Sequence, residues 1–69
     1  MSPYSYIRSI FRSDAAKAGH VVRRSVQDIN KYASLQALVD ETKSLGFHLI
    51  QAGDQYIVVC RNAPVVLHF

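Results

Sequence analysis

FHLIQAGDQYIVVCR, residues 47–61, is the stretch on which the fold turns. Two apolar runs flank Gly53-Asp54, and a glycine at the first central position is what a two-residue type II′ hairpin turn needs. Strands are therefore expected near 47–52 and 55–61. A two-residue turn fixes the register, so Ala52 pairs with Gln55, Ile50 with Ile57 and Leu49 with Val58. One face then presents Phe47, Leu49, Tyr56, Val58 and Cys60. The other presents His48, Ile50, Ile57 and Val59 and ends at Arg61. Both faces are apolar, whereas a sheet covered on one side only alternates apolar with polar residues. Ile50, Ile57 and Val59 need a cover: the N-terminal helices, a second copy of the chain, or a foreign partner.

Just upstream, Ser34 is placed to cap a helix whose apolar face is Leu35, Leu38, Val39, Thr42 and Leu45, and Gly46 supplies the left-handed residue that ends it. Downstream, Asn62-Ala63-Pro64 reads as a turn, because proline removes a ladder donor and bends its predecessor out of helical space. Val65 to Phe69 then reads as a third strand. At the other end, Ser2-Pro3 is a helix start, and Tyr4, Ile7, Ile10 and Phe11 follow at helical spacing over about 3–12, with Arg8 and Arg12 on a neighbouring stripe. Ser13-Asp14 offers a second cap, and Ala15, Ala18, Val22, Val26 and Ile29 form an i, i+3, i+4 stripe that predicts a helix over about 14–30. A strand over His20 to Val26 is the rival, set aside because Val22 and Val26 would share a face with Arg24 and Asp28. The expected fold is α+β in one small domain, 1–69: two N-terminal helices plus a helix followed by a three-stranded antiparallel sheet.

A chain of 69 residues buries roughly 60% of its unfolded surface, so its core is thin. With 49% hydrophobic residues it carries more apolar surface than it can easily hide. The one cysteine, Cys60, cannot staple the fold, which fits a reducing compartment. The longest apolar run, Tyr56 to Cys60, is far short of the roughly 20 residues that span a bilayer, and no signal-peptide stretch follows Met1. A cytoplasmic protein without membrane contact is expected. The net charge of +3 is unevenly spread. Residues 1–31 hold Arg8, Arg12, Lys17, Arg23, Arg24 and Lys31 against Asp14 and Asp28, while residues 32–69 are slightly acidic.

The residues that could do chemistry are few. His20, His48 and His68 lie on separate elements, without the spacing of metal ligands, so surface or interface histidines and no metal are expected. Cys60 reads as a small buried hydrophobe, with no neighbour to lower its pKa. Asp40 and Glu41, adjacent on a helix, point about 100° apart and cannot converge as an acid/base pair; they read as a solvated face. No nucleophile elbow, phosphate loop or dinucleotide fingerprint occurs. No catalytic residue, cofactor or small-molecule substrate is expected.

Two stretches carry family resemblances. SLQALVDETKSLGFHLIQAGDQYIVV, within residues 34–68, resembles the helix followed by a three-stranded sheet of the small HicA-type toxins through its Gly46-Phe47 helix exit and Gly53 turn. Those toxins carry a catalytic histidine just after the glycine turn, where this chain has Asp54, Gln55 and Tyr56. VVRRSVQDI, from Val21 on, resembles the opening of a ribbon-helix-helix DNA-binding protein, whose second helix has no counterpart here because Tyr56 to Cys60 reads as strand.

The function expected is that of a small non-enzymatic regulatory or inhibitory binding protein of bacterial or phage type. Its basic half, through Arg8, Arg12, Arg23 and Arg24 with Tyr4, Tyr6 and Phe11 nearby, is suited to nucleic acid, where cations meet phosphates and rings stack on bases. An acidic protein surface is drawn by the same field. The alternative is a protein-interaction module or homodimer that docks through Ile50, Ile57 and Val59 and a C-terminal edge strand bearing Val65 and Leu67.

Overall fold

The computed structural model describes residues 3–69; the expected Ser2 cap lies outside them. The elements run α1 (Pro3–Phe11), α2 (Asp14–Lys17), β1 (Val21–Ser25), α3 (Val26–Tyr32), α4 (Leu35–Ser44), β2 (His48–Ala52) and β3 (Gln55–Val59). The class is α+β with a three-stranded antiparallel sheet, and the described residues form four helices rather than three.

The hairpin has the register its turn dictates. Ala52 faces Gln55, Ile50 faces Ile57 and Leu49 faces Val58, and Gly53 takes a φ of +59° that L side chains avoid. The third strand comes from elsewhere than expected. β1 lies on the far side of β3, in the order β1-β3-β2, with Val22 opposite Val58 and Arg24 opposite Tyr56.

The helix predicted over 14–30 is therefore three elements. Ser13 does cap its first turn, its Oγ accepting from Ala16 N at 3.3 Å. The turn then closes at Gly19, whose φ is +78°. Gly19 N donates to Ala16 O and His20 N donates to Ala15 O, the paired bonds of a Schellman ending. Ser25 starts a new helix by accepting from Asp28 N at 3.0 Å. Val26 and Asp28 thus lie beyond the strand, which removes the objection to a strand here. VVRRSVQDI thus runs from strand β1 into helix α3.

Residues 60–69 form no strand. Pro64 lacks a ladder donor, and the edge of β3 not paired with β2 belongs to β1. Val65, Val66, Leu67 and Phe69 stand exposed, Leu67 at 86% of its free surface.

The helices gather on one side of the sheet. Ile7 and Ile10 of α1, Ile29 of α3, and Ala37 and Leu38 of α4 are buried with Val22, Tyr56, Val58 and Cys60 in one core. Phe47 and Leu49 pack against it. Tyr6 of α1 stacks on Tyr32 of α3 with ring centroids 5.2 Å apart, tying the two helices together. Among the described residues, no helix is long and apolar enough to cross a membrane.

Candidate functional site

A cleft of about 560 Å³ opens where α1, α2 and α4 meet the end of the sheet. α1 contributes Arg8 and Phe11, and Arg12 follows directly after it, its N donating to Arg8 O, so that the two arginines stay one turn apart with Phe11 packed against the core. Lys17, in the last turn of α2, adds a third cation from across the α1–α2 junction. Phe47 forms part of the wall as the chain leaves α4, its ring 5.8 Å from that of Phe11 and tilted by 49°. Both rings are half-buried, so each keeps some surface toward the opening. Glu41 of α4 and Cys60, just after β3, also line the cleft.

The electrostatics are lopsided. Arg8, Arg12 and Lys17 are exposed at the mouth, and among the described residues none of them is held in an ion pair. Three unneutralised cations beside low-dielectric walls focus a positive field into the opening. Glu41 is the one acid on the wall. Its neighbour Asp40 points away to solvent, where it accepts from Gln36 Nε2 at 2.8 Å. Cys60 is 3% exposed, and burial pushes its thiol above the ordinary value. Its sulfur is protonated and inert at neutral pH, in keeping with a packing role.

The four arginines singled out in the sequence do not form one surface. Arg8 and Arg12 share the cleft. Arg23 and Arg24 sit on the edge strand β1, where alternation sends them to opposite faces. Arg24 folds back on its own backbone, Nη1 donating to Arg23 O at 2.7 Å. Of the aromatic residues expected nearby, Phe11 lines the cleft, Tyr6 is engaged with Tyr32, and Tyr4 is exposed on α1. Lys17, Glu41 and Phe47 were not legible as site residues. They come from α2, α4 and the loop before β2, and no spacing in the sequence links them.

The outer face of the sheet is a second feature. Val21, Ile50, Ile57 and Val59 project from it, and none belongs to the core or packs against it. The N-terminal helices do not cover this face, which removes one of the three covers the sequence allowed. Val21 is 51% and Ile50 39% exposed. At one end, His48 Nε2 donates to Ala63 O at 2.8 Å and anchors the root of the exposed tail that carries Val65 and Leu67. Among the described residues, no three His, Cys, Asp or Glu side chains converge as metal ligands would.

No protein-family model, curated protein or solved structure matches this chain.

Proposed function

We propose that the protein is a small non-enzymatic binding protein whose ligand is nucleic acid, held at the cleft between α1, α2 and α4. The observation that carries this reading is the juxtaposition of three unpaired cations, Arg8, Arg12 and Lys17, with the Phe11–Phe47 ring pair. Phosphates meet the cations while bases find an apolar wall, the two contacts that nucleic-acid binders combine. An acidic protein surface would use the cations but leave the rings idle. Arg23, opposite Ile57 on the outer face of β1, lies outside the cleft and takes no part in this reading.

Fluorescence anisotropy with a labelled oligonucleotide, followed from about 50 mM to 200 mM salt, tests the reading. Binding weakens steeply with salt, and replacing both Arg8 and Arg12 with glutamate lowers the log–log slope by roughly two phosphate contacts. Affinity untouched by the double reversal would end it.

A second reading rests on the outer sheet face, where Val21 and Ile50 are exposed and Ile57 and Val59 half-buried, between the edges of β1 and β2. It makes the protein a docking module for another protein or for its own copy. Binding there is insensitive to salt and is lost in Ile57→Asp. Light scattering with and without nucleic acid separates the two readings.

A further inference from the structure

We infer that the cleft accepts one unstacked nucleotide of a single strand, with preference for a base that carries an exocyclic amino group. The inference rests on the nucleic-acid reading and goes further into the same site. Cations on a convex surface take single strands and duplexes alike, because both display phosphate. This site differs in having a concavity of about 560 Å³, within the roughly 300–1,000 Å³ of clefts that enclose small ligands. Phe11 and Phe47, both half-buried and with ring centroids 5.8 Å apart, are among the residues that line it. In a duplex the base faces are stacked and hidden, so only an unpaired base can reach those rings.

The charges set the orientation. Arg8 on α1, Arg12 just after it and Lys17 on α2 attract the phosphate to their side of the mouth. Glu41, reaching in from α4, repels it. The nucleotide therefore lies with its phosphate on the α1–α2 side and its base turned toward α4. An ionised carboxylate only accepts hydrogen bonds. It favours the amino groups of cytosine or adenine and disfavours the carbonyl oxygen that uracil and thymine present at the corresponding place.

The test is anisotropy at one low salt concentration with labelled oligocytidylate and oligouridylate of about ten nucleotides, a mixed-sequence duplex of the same length, and free cytidine monophosphate as competitor. The wild-type protein is expected to bind oligocytidylate about tenfold tighter than oligouridylate and either strand tighter than the duplex. Phe47→Leu, which keeps an apolar side chain against the core, weakens single-strand binding about tenfold and leaves the duplex unchanged. Glu41→Ala abolishes the preference for cytosine. Equal affinity for single strand and duplex, with Phe47→Leu altering neither, overturns the inference while salt-dependent binding keeps the basic-cleft reading alive. Cytidine monophosphate binding as tightly as the strand also overturns it, in favour of a free nucleotide. Binding of none of these probes removes both the inference and the reading on which it rests.

Discussion

The cleft under α1 and the outer face of the sheet both leave apolar atoms open to water, yet their surroundings differ. The cleft is lined by Arg8, Arg12 and Lys17, with Glu41 as its one acid. The outer face has Arg23 and His48 among Val21, Ile50, Ile57 and Val59, and no acid. One surface suits a ligand with both charge and rings; the other suits an apolar partner. A thin core thus leaves its surplus of hydrophobic residues in two places with different chemistry. Salt tells them apart, since it screens the first and not the second.

The sharpest contrast is between the two faces of one sheet. Val22→Asp places an unpaired charge in the core, where Val22 is 4% exposed, and is expected to cost about 3–5 kcal/mol, enough to unfold a chain this small. Ile57→Asp, one residue before the paired Val58 but half-buried on the outer face of the central strand, is expected to cost about 1–2 kcal/mol. Urea denaturation of both variants checks this, and a severe loss in Ile57→Asp would mean that the outer face is covered.

Next in size is the cleft itself. Glutamate at both Arg8 and Arg12 reduces oligonucleotide affinity about 100-fold at low salt, or roughly 2.7 kcal/mol, without moving the thermal midpoint. The same pair of changes leaves any self-association through the outer face intact, as sedimentation would register.

Smaller effects test the joints that separate these surfaces. Gly19→Ala forces a side chain into a φ of +78° at the turn between α2 and β1, and a loss of about 1 kcal/mol is expected. Cys60 gives the smallest effect and one with a defined pH window. Burial holds its pKa above the ordinary 9.0, so the unfolded chain releases this proton first as pH rises. Stability from the buried thiol is complete below pH 9 and declines through the window between the ordinary and the raised value. A pH series of denaturation midpoints that falls above pH 9 in the wild type and stays flatter in Cys60→Ala accords with this.

Two glycine-ended helices explain what the sequence made legible. Gly46 closes α4 with Gly46 N donating to Lys43 O and Phe47 N to Thr42 O, and the strand that follows was readable because ten helical residues precede it and the Gly53 turn follows. Gly19 closes α2 with the same pair of bonds. There, however, α2 has only four residues, and the apolar stripe from Ala15 to Ile29 happens to continue at helical spacing through a strand. Periodicity outvoted a cap. The pair Ser25 and Asp28 marked the restart of a helix and was the signal to weigh more heavily. A third strand after Pro64 fails because the tail, though apolar, finds no free sheet edge beside β3, which β1 already occupies. Of the site, Arg8 and Arg12 were legible from charge and spacing. Lys17, Glu41 and Phe47 were not, because only the return of the chain from α4 to β2 places them beside α1.

The proposed ligand-facing surface is the cleft of Arg8, Phe11, Arg12 and Lys17. Amide chemical-shift mapping of the labelled protein during titration with oligocytidylate tests it most directly. Perturbations clustered on residues 8–19, Glu41 and Phe47 are predicted, with Val21, Ile50 and Ile57 unmoved. Shifts confined to the outer face of β1, β3 and β2, with the cleft silent, would contradict the account.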